Sequence, residues 1–199
     1  MSIKVGITGG IGSGKTFVCN ILEKMGYPVY YSDKESKRLT AENQIIRNGL
    51  IDLLGDEVFL NDELNKSFLA NKIFNNSVIL EQVNQLIHPI VRQYFNQWAE
   101  SQKSPFVFNE AAILLETGSY KTLDFNVLVT ANENVRIQRT MLRDSISREE
   151  VLARISKQWD DEKKKKLVDF IIINDGEMPL LEQLNELESK LLQLKNGIN

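Results

Sequence analysis

The sequence predicts an α/β fold in which a parallel sheet is covered by helices on both faces. Three observations carry this. Short apolar runs alternate with longer helical patterns along the chain. The first run, Ile3-Lys4-Val5-Gly6-Ile7, leads straight into a glycine-rich turn that opens a helix, the strand–loop–helix order of open doubly wound sheets. With 199 residues, 42% of them hydrophobic and 26% charged, the chain is large enough for one good core plus inserted subdomains.

Taken in order, Ile3 to Thr8 form the first strand, and a helix follows from about Lys15 to Met25, stopping near Gly26. Pro28-Val29-Tyr30-Tyr31 is a short second strand ending at Ser32-Asp33. From Lys34 to about Lys103 the pattern is helical, with no strand-like run bounded by turns. That length exceeds any simple strand-to-helix connection, so it is an insertion with its own packing. Within it, His88-Pro89 reads as a helix start with Pro89 in the first turn, and Val91, Tyr94, Phe95 and Trp98 form an apolar stripe. Pro105 to Asn109 resumes the sheet as a third strand, and Asp124 to Thr130 is the fourth. Asn134 to about Lys166 reads as helical and densely charged, and Phe170 to Asn174 is the fifth strand. A last helix from about Pro179 carries Leu180, Leu184, Leu187, Leu191 and Leu194. This is coiled-coil spacing over only two heptads, open to a dimer zipper but better suited to packing on the sheet.

Gly9-Gly10-Ile11-Gly12-Ser13-Gly14-Lys15-Thr16 matches G-x-x-x-x-G-K-[ST] in full. Glycines at this spacing let the backbone curl around an anion with several N–H groups pointing inward. The following helix adds its positive dipole end, Lys15 a mobile cation for the β- and γ-phosphate oxygens, and Thr16 a hydroxyl that can ligate Mg²⁺. The chain is therefore expected to bind a nucleoside triphosphate.

A formal net charge of −3 argues against a dedicated nucleic-acid binder, so any anion site is local. The single cysteine, Cys19, falls in the first helix, reads as core packing and fits a reducing compartment. No signal-peptide pattern and no membrane-length apolar run is visible, and a cytoplasmic location without membrane association is expected.

A guanine-reading N-K-x-D and a D-x-x-G switch are both absent from the sequence. The third strand ends in Asn109-Glu110 instead of an apolar run closing on Asp. What remains is a small kinase, with an inserted segment to hold a phosphoryl acceptor and a mobile one to close over the phosphates. Asp33, just past the second strand at the ligand-binding edge of the sheet, could take a proton from an attacking hydroxyl and help organise Mg²⁺; it would equally suit a helix N-cap. Arg136, Arg139 and Arg143 lie at helical spacing, and at least the last two can face one cavity, where they would stabilise charge on a transferring phosphoryl group. Lys163 to Lys166, following Asp160-Asp161-Glu162, read as mostly a solvated face with acid-to-lysine pairs four residues apart.

The opening V-G-I-T-G-G-I-G-S-G-K-T, Asp33, His88-Pro89, Leu114-Leu115-Glu116, Gln138-Arg139 with Arg143, Arg154-Ile155 with Gln158, and Asp169 ahead of Ile173-Asn174-Asp175-Gly176 resemble the dephospho-CoA kinase family from end to end. The resemblance implies a P-loop kinase three-layer fold with a five-stranded parallel sheet, an inserted helical substrate domain and a helical lid. The nucleotide-binding core would be 1–33, 104–135 and 168–199, the CoA (acceptor)-binding domain 34–103, and the lid 136–167. It implies transfer of the ATP γ-phosphate to the ribose 3′-hydroxyl of dephospho-CoA, the last step of coenzyme A synthesis. The chain is expected to act as a monomer or weak homo-oligomer.

By the same resemblance, Gly9 to Thr16 with the adjoining Phe17 form the ATP and Mg²⁺ site, Asp33 is the base, and Lys15 and Arg143 act on the transferring phosphate. Arg139 is a second lid arginine, Asn174 lines the adenine pocket, and His88, Glu110 and Leu115 belong to the acceptor side. The chain departs from the family in reading Tyr31-Ser32-Asp33 where many relatives have Asp-Ala-Asp, in Glu110-Ala111-Ala112-Ile113-Leu114 where many have Asp-x-Pro-Leu-Leu, and in Thr16-Phe17 for Ser-Thr. A kinase for another small hydroxyl acceptor, or an ATP-dependent switch protein, remains open at this stage.

Overall fold

The computed structural model describes residues 2–74 and 76–197. It divides into two compact units, Met1–Tyr31 with Ala99–Asn199, and Ser32–Trp98. Segment 136–167 lies within the first unit.

In the first unit, strands β1 (Ile3–Thr8), β2 (Val29–Tyr31), β5 (Phe106–Glu110), β6 (Phe125–Thr130) and β7 (Phe170–Ile173) form one sheet in the order β2-β5-β1-β6-β7. Every pairing is parallel. Alternation sends successive side chains to opposite faces. Ile3, Val5 and Ile7 of β1, Phe106 and Phe108 of β5, and Val127 and Val129 of β6 pack with Val18, Cys19 and Leu22 of helix α1 (Lys15–Lys24). Leu184, Leu187 and Leu191 of α9 (Leu180–Gly197) join the same cluster, so the leucine stripe packs on the sheet. Val107 and Leu128, which alternate with those residues, are also fully buried, so the sheet is covered on both faces, as a parallel sheet requires.

The second unit contains α2 (Ser32–Glu42), α3 (Gln44–Leu54), α4 (Lys66–Phe74) and most of α5 (Ser77–Ser101), packed around Leu39, Ile46, Leu50, Val58, Leu69, Val83, Ile87 and Val91. Two expectations are corrected here. A hairpin, β3 (Phe59–Leu60) with β4 (Glu63–Leu64), interrupts the supposedly all-helical insertion. Its turn residues Asn61 and Asp62 both take positive φ (49° and 66°), which suits a two-residue hairpin turn, and Arg47 donates to the Asp62 carboxylate at 2.9 Å. Strands of two residues carry no readable alternation. Pro89 lies inside α5, not at its start, because Asn76 caps the helix by accepting from the Val78 and Ile79 N–H groups. Packing of Val83, Ile87 and Val91, one per turn on one face, outweighs the single helical bond that Pro89 removes.

The long charged helix is also corrected. Residues 133–166 form α6 (Glu133–Asp144), α7 (Arg148–Ile155) and α8 (Asp161–Lys165). Ser145 ends α6 in the left-handed conformation (φ 53°), and Ser147 with Glu150 makes a full capping box for α7. Asp160 caps α8 by accepting from the Lys163 N–H. No helix among the described residues is long and apolar enough to cross a membrane.

Candidate active site

The sheet register brings the carboxyl ends of β1, β5 and β2 into one row, with Glu110 paired to both Ile7 and Tyr31. The chain crosses from β5 past β1 to β6, so the loop leaving β1 sits where the strand order reverses. Gly12 and Gly14 of that loop have φ of 75° and 86°. A Cβ on Gly12 would meet the Arg136 carbonyl oxygen at 2.2 Å, and one on Gly14 the Asn174 Nδ2 at 2.1 Å. Both positions therefore admit only glycine, for conformation and for space.

Helix α1 begins without a side-chain cap and with no acid in its first turn. Its N-terminal amides and dipole thus keep their attraction for an anion. Beside them, the Ser13 hydroxyl is buried with no hydrogen-bond partner among the described residues. Lys15 Nζ donates to the Gly9 carbonyl at 2.9 Å and lies 3.9 Å from Glu110 Oε1, and both side chains are about nine-tenths buried. The uncapped first-turn amides of α1, the buried Ser13 hydroxyl and a held ammonium are complementary to a polyphosphate. Thr16 and Phe17 are exposed on the first turn of α1, and Cys19 packs beneath it. Burial, with Glu110 adding, pushes the Cys19 thiol well above its usual range, so it is an inert packing residue.

The other predicted residues are distributed as follows. Asn174 is buried; its Nδ2 donates to the Ser13 carbonyl at 2.9 Å, and its own carbonyl accepts from Arg139 at 2.7 Å. Arg139 is thereby brought to the flank of the loop. Arg143 instead pairs with Asp144 at 2.8 Å, with 62% of its side chain exposed. Asp144 also binds Arg154 at 2.8 Å, and the two arginines hold its carboxyl below the usual range. Leu115 is only 1% exposed, so its side chain is part of the interior and not of a ligand surface.

Within the second unit, Asp33 is exposed in the first turn of α2, two residues along the chain from Tyr31. His88 is half-buried on α5, and burial, with Arg92 adding, lowers its pKa from the usual histidine value. The unfolded chain takes up a proton below about pH 6.5 that the folded unit resists, so stability is full above that pH and falls as the pH drops. His88→Gln is expected to flatten this slope in urea melts run at a series of pH values; an unchanged slope would assign it to other groups.

Several residues escaped the sequence reading. Lys164 belongs to a run whose sequence predicts a solvated face, yet it is fully buried with Nζ 3.1 Å from Glu116 Oε1, which also accepts the Trp159 N–H at 3.2 Å. Of that run, Lys165 pairs with Glu162 three residues back, and Lys163 lies over the Trp159 ring at 3.4 Å. The signal was present in Leu114-Leu115-Glu116, but only tertiary contact pairs it with Lys164. Removing one partner of a buried ion pair leaves an uncompensated charge, so Lys164→Ala should lose about 3 kcal/mol or more in urea unfolding. The double change Lys164→Met with Glu116→Gln should lose clearly less, and equal losses would contradict the pairing.

A groove of about 790 Å³, lined in part by Ser2, Lys4, Lys103 and Asp124, opens at the amino ends of β1 and β5. It is at the opposite sheet edge from the loop, and the anion-binding features all lie at the carboxyl edge.

The parallel sheet, the strand order and the loop with its held lysine define a P-loop kinase. Residues 3–179 match the family model described as dephospho-CoA kinase. A dephospho-CoA kinase of Bacteroides fragilis is 46% identical over 194 residues, covering 97% of this chain and 95% of that protein. One from Salinibacter ruber is 35% identical, covering 96% and 94%. Among solved structures, a Thermus thermophilus protein superposes with a TM-score of 0.84 at 34% identity, covering 97% of this chain and 98% of that one. The dephospho-CoA kinase of Campylobacter jejuni shares the fold, with a TM-score of 0.67, 22% identity and full coverage of both chains. The chain belongs to the dephospho-CoA kinase family.

Proposed function

We propose that the chain transfers the γ-phosphoryl group of ATP to the ribose 3′-hydroxyl of dephospho-CoA, giving coenzyme A and ADP in the final step of coenzyme A synthesis. The observation that carries this is a complete phosphate-binding loop, with Lys15 held against Gly9 and Glu110, in a chain matched to that family over residues 3–179.

In this reading the loop amides, the Ser13 hydroxyl and Lys15 bind the β- and γ-phosphates. The Asp33 carboxylate accepts the proton of the attacking 3′-hydroxyl as its oxygen forms a bond to the γ-phosphorus and the bond to the β,γ-bridging oxygen breaks. ADP leaves with that electron pair. Arg143 exchanges Asp144 for the transferring phosphoryl group, whose equatorial oxygens gain charge. Arg139 and Asn174 flank the nucleotide, and His88 and Glu110 serve the acceptor side.

The donor set suits Mg²⁺. The residues that would hold it offer hard oxygens: the hydroxyl of Thr16, with Asp33 and Glu110 as candidate carboxylates. When bound, Mg²⁺ neutralises charge on the phosphate oxygens. A cytoplasmic location belongs to the same reading, supported by the free buried thiol of Cys19.

The test is an ADP-release assay with ATP and Mg²⁺, comparing no acceptor, dephospho-CoA, adenosine monophosphate and shikimate at equal concentration, with the product checked by mass. Turnover with dephospho-CoA alone, adding one phosphate at its ribose, is the expected result. Turnover with another acceptor would overturn the substrate, and turnover indifferent to acceptor would favour a switch protein.

A further inference from the structure

Ile11, inside the phosphate-binding loop, has both main-chain polar groups taken by residues far away in sequence. Its N–H donates to Gln158 Oε1 at 2.9 Å, and its carbonyl accepts from Arg136 Nε at 3.2 Å. Gln158 lies between α7 and α8, and Arg136 on the first half of α6, so two separate parts of the lid segment hold one loop residue from both sides.

Arg136 is built in, with only 7% of the residue exposed. Its NH1 pairs with Asp161 Oδ2 at 3.0 Å, and that same oxygen accepts the Thr130 hydroxyl at the end of β6. The guanidinium lies flush against the loop, since a Cβ on Gly10 would come within 2.5 Å of NH2. Neither contact uses the Ser13 hydroxyl, Lys15 Nζ or the uncapped first-turn amides of α1. Their effect passes through geometry. Peptide units are rigid planes, so fixing the N–H and the carbonyl of Ile11 fixes the planes on both sides of it. The plane after Ile11 carries the Gly12 N–H, so the aim of the next amides depends on it. A loop rich in glycine has many alternative paths, and unclamped it would lose that aim to conformational entropy.

We propose that Gln158 and Arg136 are positioning residues for the phosphate-binding loop, with Asp161 holding Arg136 in place, so that lid residues set the strength with which the loop grips ATP. The proposal rests on the reading that this loop holds the ATP phosphates. It differs from the assignment of Arg139 and Arg143, which would act on the nucleotide directly.

Gln158→Met keeps the side-chain length and removes the acceptor. Arg136→Met with Asp161→Leu removes both partners of the buried ion pair together, so no buried charge is stranded. In the full chain, each variant should raise Kd and KM for ATP about tenfold, the loss of one well-placed hydrogen bond, with KM for dephospho-CoA and the melting temperature close to the parent. Arg136→Lys, which keeps the charge but not the planar fork, should fall between parent and double variant. Unchanged ATP affinity in Gln158→Met, alongside lost affinity in Lys15→Ala, would overturn the positioning role while leaving the loop as the phosphate site. Parallel changes in both KM values and in melting temperature would also overturn it, as the mark of a purely structural contact. Unchanged ATP affinity in Lys15→Ala would instead remove the reading on which the proposal stands. Should the double variant fail to fold, Gln158→Met decides alone.

Discussion

Lys15→Ala is expected to lower kcat by about a hundred- to a thousandfold and to weaken ATP binding as well. The ammonium is the cation held at the centre of the loop, 2.9 Å from the Gly9 carbonyl and 3.9 Å from Glu110. Its removal takes away the charge that offsets developing negative charge on the leaving phosphate. It also takes from the buried Glu110 carboxylate the ammonium 3.9 Å away. Lys15→Arg should rescue little, because a wide planar guanidinium cannot take the place of a point charge buried at this depth. The measurement is steady-state turnover with ATP titrated against saturating dephospho-CoA, with calorimetry for the binding term. Near-normal kcat in Lys15→Ala would mean that the triphosphate is held elsewhere.

Asp33→Ala is expected to lower kcat by about 10²- to 10⁴-fold, the range for removing a general base, with ATP affinity near that of the parent. The competing account is local: Asp33 sits in the first turn of α2, where any acid is favoured by the helix dipole. Asp33→Asn separates the two. It retains a side-chain oxygen that can cap amides but cannot take a proton at neutral pH, so a base role makes it as inactive as Asp33→Ala while the fold stays as stable as the parent. Normal turnover in Asp33→Asn would reduce Asp33 to a capping residue.

Much of the fold was legible because its signals are local. The five sheet strands are short apolar runs flanked by Gly, Pro, Ser or Asp, and each is found within a residue or two of its expected place. What was missed has identifiable causes. The hairpin at Phe59–Leu64 has strands of two residues, too short for a period, although Asn61-Asp62 is turn chemistry. The break between α6 and α7 was announced by Ser147 and Glu150 at capping-box spacing, a signal hidden by the charge of the surrounding residues. Pro89 misled because proline is common in a first helical turn, whereas here Asn76 had already started the helix.

The site divides along the same line. Gly9 to Thr16 could be assigned from sequence because their chemistry is carried by adjacent backbone groups, whose spacing alone dictates an anion cradle. The family was likewise legible, since its residues recur in order along the chain. The partners of that cradle were not. Gln158 and Arg136 meet at Ile11, Asn174 meets Ser13, and Lys164 meets Glu116, across separations of 48 to 161 residues. A lysine in a run of four lysines, or an aspartate beside three other charges, looks solvated because sequence shows the charges next to it and not the buried charge across the fold. Only the packed structure decides which one goes inside, because burial costs several kcal/mol unless an opposite charge is waiting there. The sequence by itself determined the phosphate chemistry and the family; the tertiary structure decided which distant side chains hold that chemistry in shape.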